Sequence, residues 1–385
     1  MSNAKDTPRA ALVGVTGFGA RHLATLNQLR SDGEVRLTAA TVINRDEAAE
    51  SCAELEQFGV RVYADYGAML EAESGGTDIV FVPTGIRWHA PMTIAALEAG
   101  CHVYVEKPAA GTVAEVDAMI AARDKAGLSV AVGFQDQYHP ATREIKRRLL
   151  EGCVGKLRRI SVLGLWPRPE SYYARNGWAG RLEADGAVIR DSPAQNALAH
   201  FLMAALYYAG PTLTEAASPA SVEGSLCRAK PIESFDTCSL RIATDTGTDI
   251  FFHASHSCPE QESPQLVCHG DAGTLIWDVG TGYRFDDGTP PVEAPSGPPL
   301  FPIAFRSMLE TVRNGGPPAC PPENARRHTQ VIEAAHTRLP IRDVPADHVR
   351  TMTTPKGEFR VFEGVAQRLR ECHEKGVVLD ELPVA

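Results

Sequence analysis

Apolar residues in the first third of the chain fall into short solid runs, at 11–15, 36–43, 78–82, 102–105 and 129–133. Such runs lack the in-out alternation of a half-exposed strand and predict strands buried on both faces. Between them, apolar positions recur at helical spacing over 20–30, 45–57, 66–71, 90–99 and 113–126. Several of these stretches close on a glycine, such as Gly100 and Gly127, where a helix can end in left-handed backbone. Strands alternating with helices predict β-α units that feed a doubly wound parallel sheet.

The rhythm changes after Tyr138-His139-Pro140. A basic helix at 141–151 and a strand at 157–165 lead into WPRPESYYARNGWAGR, residues 166–181, an irregular and chemically loaded segment. A helix at 194–208 precedes successive strands at 221–228, 237–243, 248–255, 266–269 and 274–278. Consecutive strands predict a mostly antiparallel sheet. A Pro/Gly-rich loop at 288–302 then leads to helices at 304–314, 322–339 and 363–375. The fold class is therefore α/β throughout, with a doubly wound domain over 1–138 and a second α/β domain over 139–385.

Two domains suit a length of 385 residues, each large enough to hold a core without staples. The net charge of −10 argues against nucleic acid as the main partner, because such binders need a basic face. No apolar run is long enough to span a bilayer, and the opening MSNAKDTPRA is short and polar, so the expectation is a cytoplasmic protein with no membrane partner. Nine scattered cysteines without a C-x-x-C pair predict free thiols. HASHSC, residues 253–258, invites a metal reading, but His253 and His256 on a strand face opposite sides, and Cys268-His269 is too small a set; no metal is expected.

The first strand, ALVGV, runs into a glycine turn and then a helix. That order places backbone N–H groups at the positive end of a helix, where a pyrophosphate can sit. Gly14, Thr16 and Gly19 take the three fingerprint positions, with Gly17 at the crown; Thr16 departs from the usual glycine. At the end of the second strand stand Asn44 and Arg45 rather than an acidic residue. An Arg there offers a fork to a 2′-phosphate or simply opens the next helix in solvent, so NAD and NADP both stay open as cofactors. Lys107 follows VYVE directly and precedes Pro108, at the sheet edge where ligands of such folds bind.

The segment 14–22, PTGIRWH with ALEAGCHVYVEKP, and VAVGFQDQYHP together resemble the glucose-fructose oxidoreductase, inositol dehydrogenase and MocA (Gfo/Idh/MocA) family. The resemblance is good over about residues 8–215 and looser beyond. It implies an N-terminal Rossmann domain and a C-terminal α/β domain with a large open sheet used in substrate binding and in homodimer or homotetramer contacts. It also implies hydride transfer between a nicotinamide and a sugar, sugar acid or polyol, with Lys107 catalytic. By the same resemblance Phe18, Pro83, Thr84, His89, Glu106 and Gln135 join Gly14, Thr16, Gly17, Gly19, Asn44, Arg45 and Lys107 around the cofactor.

Members of that family carry an Asp and a His four residues apart on the helix facing the nicotinamide. Counting back from Gly210 brings His200 to the His and Asn196 to the Asp, whereas counting forward from Gly186 brings Asp191 and Gln195 near those positions. The first count is preferred, because His can act as a base near neutral pH and Gln cannot. His200 is then the expected base, with Asn196 or Asp191 as its partner. In the segment ahead, Arg168, Arg175 and Arg181 can clamp an anionic group, while Trp166, Tyr172, Tyr173 and Trp178 offer faces to a sugar ring; Gln195 joins this substrate set. Two alternatives stand beside the dehydrogenase: a redox-neutral glycoside-cleaving or epimerising enzyme that keeps its NAD, and a non-catalytic sugar-sensing regulator.

Overall fold

The run Ile79–Val82 is IVFV, and all four residues are buried. A strand this apolar has no face to offer to water, so it occupies the middle of a sheet covered on both sides. The computed structural model places it there, and describes residues 7–286, 288, 290–293 and 300–383. The first sheet holds β1 (Arg9–Val13), β2 (Arg36–Thr41), β3 (Arg61–Tyr63), β4 (Ile79–Val82), β5 (His102–Glu106) and β6 (Val130–Gly133). Their order is β3-β2-β1-β4-β5-β6, with every pairing parallel. This is the doubly wound Rossmann arrangement, with its switch point between β1 and β4, where strand C-termini open a crevice.

Local chemistry sets the connecting helices. Thr112 accepts from the Glu115 backbone while the Glu115 carboxylate accepts from the Thr112 backbone, a reciprocal cap that starts Val113–Ala126. Gly127 at φ 65° ends the helix. Helix Ile86–Glu98 begins four residues earlier than its apolar spacing suggests, before Pro91, which sits inside it.

The first compact unit comprises the described residues of Met1–His139 and of Gly297–Arg326, and the second those of Pro140–Ser296 and Arg327–Ala385. The segment ending at Arg326 thus departs from the expected single boundary after residue 138. The reason is aromatic packing. Helix Phe301–Asn314 sets the Phe305 ring 4.5 Å from Phe81, 4.9 Å from Tyr104 and 4.9 Å from His22, closing one face of the sheet. The Cys320 carbonyl also accepts from Val132 N, extending the hydrogen bonding at the β6 edge. Of the predicted 288–302 loop, residues 289 and 294–299 lie outside the described residues, as do residues 1–6 and 384–385 at the ends of the expected domains.

The second unit is built on β7 (Leu157–Leu165), β10 (Pro219–Arg228), β11 (Thr237–Thr244), β12 (Asp249–Ser255), β13 (Glu262–Gly270), β14 (Thr274–Asp278), β15 (Gly282–Phe285) and β16 (Ile341–Asp343). Their order is β15-β14-β13-β7-β12-β11-β10-β16, antiparallel except for β7 with β12 and β10 with β16. Two small hairpins, β8 (Glu183–Ala184) with β9 (Ala187–Val188) and β17 (Val349–Thr354) with β18 (Gly357–Phe362), complete the strands. Helix Ala199–Ala209 is buried at every position but His200. It starts five residues later than the expected 194–208, because residues 193–198 form turns, with Leu198 N donating to the Pro193 carbonyl. No helix among the described residues is long and apolar enough to cross a membrane.

Candidate functional site

In the first unit the turn after β1 is open where a phosphate would approach. Gly14 and Gly17 have φ of 81° and 56°, and a Cβ built on either meets nothing within 4 Å. Gly19 is the opposite case, since its Cβ would lie 2.4 Å from the Gly14 carbonyl; only glycine lets the helix start this close beneath the strand. Thr16, Gly17 and Phe18 are exposed along the crest. Helix Gly19–Ser31 has no side-chain cap and no acidic residue in its first turn, so its N–H groups and dipole are available to an anion. These residues fit a dinucleotide pyrophosphate, with Thr16 exposed at the crest.

Beyond β2, Asn44 and Arg45 are exposed as expected, but the Arg45 guanidinium is held 2.5 Å from Glu56, an ion pair on the surface. Beside them stands Ile43, 74% exposed, which the sequence pattern placed inside the strand. Its signal was present, in that an apolar residue continues past the last paired position of β2, Thr41.

Lys107 directly follows β5 and is joined to Pro108 by a cis peptide. Its backbone N–H donates to Glu106 Oε2 at 3.2 Å. The Glu106 carboxylate is itself buried, with Oε1 3.0 Å from His22 Nε2 and accepting from Gln135 Nε2 at 2.8 Å. Gly133 makes room for it, because a Cβ there would fall 2.8 Å from Oε1. His89 sits 2.7 Å from the Pro108 carbonyl through Nδ1 and 3.0 Å from the Thr84 carbonyl through Nε2. Burial pulls the His89 pKa below its ordinary value against the pull of the two carbonyls, and the neutral ring, with one N–H, donates to one of them. Of the expected cofactor residues, Glu106, His89 and Gln135 thus sit behind Lys107 as supports, Pro83 is buried, and Thr84 is half-buried at the turn. His22, which sequence reasoning left unassigned, belongs to the same support.

In the second unit Asp191 and Asn196 come together. Asp191 Oδ1 accepts from Asn196 Nδ2 at 3.0 Å and Oδ2 from Gly180 N at 2.7 Å, and the carboxylate is 2% exposed. Asn196 lies in the turn ahead of the helix that His200 enters, so the two do not share one continuous helical face. Gln195 is fully buried, with Nε2 donating to the Ile189 carbonyl at 3.4 Å and Oε1 buried without a protein donor among the described residues.

The 166–181 segment forms an aromatic stack in which Arg175 lies 3.7 Å over Tyr172 and 5.2 Å from Trp178, while Arg168 lies 5.1 Å from Tyr172 and 5.4 Å from Trp166. Tyr173 hydroxyl is 2.7 Å from His256 Nδ1. Burial drives the Tyr173 pKa well up and the His256 pKa well down, so the phenol donates to a neutral ring. The same segment lines a cavity with Glu170, Tyr173 and Asn176, closed on the other side by Lys230 and Glu233. His253 bonds elsewhere, to Ser239 Oγ at 2.9 Å, and no group of three potential metal ligands occurs among the described residues.

These buried histidines set an acid limit. Burial lowers His253 to about 3 and His373 to about 4, against an ordinary value of 6.5. As pH falls below about 6.5, the unfolded chain takes up protons that the folded chain refuses, so stability drops progressively toward about pH 4. A denaturation series across that window is expected to show the decline. Replacing His253 by Gln should flatten it, and an unchanged slope would remove His253 from the account.

Residues 8–134 match the family profile described as Oxidoreductase family, NAD-binding Rossmann fold. Over these residues, a third of the chain, it is similar to the Gfo/Idh/MocA family. Among curated members, a dTDP-3,4-didehydro-2,6-dideoxy-alpha-D-glucose 3-reductase from Streptomyces violaceoruber is 28% identical over 157 residues, 41% of this chain and 45% of the relative. The match thus spans about half the length of that relative. D-apiose dehydrogenase from Paraburkholderia graminis is 24% identical over 85% of this chain and 86% of its own. The fold is also that of the WlbA dehydrogenase from Bordetella pertussis, solved with NADH and UDP-GlcNAcA, at TM-score 0.69 and 20% identity, covering 86% of this chain and 96% of that one.

Proposed function

We propose that the protein is an NAD(P)-dependent oxidoreductase acting on a sugar, sugar acid or polyol. The observation that carries this is the open Gly14–Gly19 turn at an uncapped helix start, together with Lys107 held at the end of β5 by a buried scaffold. Backbone groups of Gly14 to Gly19, including those of Thr16 and Phe18, hold the pyrophosphate, and Asn44 with Ile43 flanks the adenosine end. Arg45 must exchange Glu56 for a 2′-phosphate if the cofactor is NADP. When bound, the nicotinamide supplies a hydride acceptor or donor. Lys107 and His200 handle the hydroxyl proton, His200 as base and Lys107 as hydrogen-bond donor to the substrate oxygen, with Asp191 and Asn196 fixing the turn that leads to His200.

Sugar relatives with named dehydrogenase and reductase activities support this reading. Mass spectrometry of the purified protein is expected to find a nicotinamide bound or readily loaded, and a panel of sugars to give net NAD(P)H formation. Glycoside turnover with no net change in the nicotinamide would replace this reading with the redox-neutral one. Cofactor binding with no turnover of any sugar or glycoside would replace it with the sensor.

A further inference from the structure

Segment 166–181 carries three arginines, and their surroundings differ. Arg181 pairs with Glu233 at 3.2 Å. Arg175 donates to the Tyr172 carbonyl at 2.5 Å, lies flat on the Tyr172 ring, and has Asp191 at 3.9 Å. Arg168 has no ion-pair partner among the described residues, and its Nε is buried without a protein acceptor. The neighbouring carboxylates are already engaged: Glu170 by Arg360 at 2.6 Å, Asp191 by Gly180 and Asn196, and Asp236 by the backbone of Ala229 and Lys230.

A second donor lies in the same cluster. His256 is 1% exposed, its ring is 5.7 Å from Tyr172, and the Arg168 backbone N–H donates to the His256 carbonyl at 3.1 Å. With Nδ1 accepting the hydrogen bond of the Tyr173 hydroxyl, Nε2 carries the ring hydrogen, and that atom is buried without a protein acceptor among the described residues. A half-buried guanidinium with no counter-charge and a buried donor without an acceptor are both costly, which points to a ligand that satisfies them.

We propose that this cluster recognises a carboxylate on the substrate, with Arg168 as the specificity-determining residue and Tyr172 and Trp166 as faces for the sugar ring. The substrate class is then the sugar acids. Arg168 supplies one charge to balance one carboxylate, and Lys230, another cation acting on His256, has its ammonium turned to the Arg360 carbonyl. The inference deepens the reading of the chain as a sugar oxidoreductase and rests on it for the sugar, while its test reads binding independently of turnover.

Calorimetric titration of the full chain with D-glucuronate, D-glucose and glucose phosphate decides it. Glucuronate is expected to bind at least about 10-fold more tightly than glucose, as a charge-assisted hydrogen bond implies, and the gap should narrow as salt is raised. Arg168→Gln should close the gap, and Arg168→Lys, which keeps charge without the Nε donor, should restore part of it. Equal binding of glucuronate and glucose, or a gap that persists in a folded Arg168→Gln, overturns the proposal; tighter binding of glucose phosphate than of glucuronate overturns the choice of carboxylate. If Arg168→Gln does not fold, the wild-type preference and its salt dependence carry the decision. Glucuronate binding without any nicotinamide-linked turnover upholds this site and sinks the oxidoreductase reading instead.

Discussion

Lys107→Met is expected to lower kcat by about 10²- to 10⁴-fold, the range over which a positioned proton-transfer or hydrogen-bonding group contributes. The backbone that presents Lys107 is over-determined. Glu106 receives the Lys107 N–H on one oxygen and sits against His22 and Gln135 on the other, and His89 fixes the next carbonyl, that of Pro108. So much buried polar structure behind one half-exposed side chain holds its ammonium at a defined point of the sheet edge. Titrating the variant with NAD and NADP separately from turnover distinguishes lost chemistry from lost binding. A kcat within a few-fold of wild type would remove Lys107 from the reaction.

Lys146→Met should destabilise the second unit by about 3 kcal/mol, through a helix end rather than through chemistry. Lys146 is fully buried, with its ammonium donating to the Tyr207 carbonyl at 2.5 Å, the Tyr208 carbonyl at 3.3 Å, and the Gly210 carbonyl. These are the orphan acceptors at the end of Ala199–Ala209, the helix that His200 enters. Methionine fills the same space and leaves three buried carbonyls without their donor. Burial also pulls the Lys146 pKa from 10.5 down to about 7. Between those values the unfolded chain binds a proton that the folded chain has released, so the Lys146 contribution rises with pH across that window. Urea denaturation of both proteins at several pH values tests both points. A loss below about 0.5 kcal/mol, or an unchanged pH slope, would show that the carbonyls find other donors.

The elements legible in the sequence were those whose own residues decide their structure. β4 is a solid apolar run, β5 is apolar from Val103 to Val105, and Val113–Ala126 carries its own cap and terminating glycine. β3, with only Arg61–Tyr63, and β16 are three-residue strands at sheet edges, too short to show a period. The β17 and β18 hairpin hid for another reason: β17 has no buried residue, so pairing rather than burial makes it a strand. At the site, the turn from Gly14 to Gly19 and Lys107 stood out because backbone conformation and strand ends leave marks in sequence. The support from His22, Glu106, Gln135 and His89 did not, since residues far apart in the chain meet only through the sheet order. The pairing of Asp191 with Asn196 was likewise hidden, because it depends on the turn that delays the helix to Ala199.

The return of helix Phe301–Asn314 to the first unit limits how the protein can be divided. A prefix ending at His139 holds all six parallel strands yet lacks Phe301 and Phe305, and so leaves His22, Phe81 and Tyr104 facing water. The nucleotide-binding half is therefore not a detachable module of its own reading frame. A gene encoding it alone must splice the later helix back on, and recombination between relatives at the linear boundary would separate a sheet from its cover.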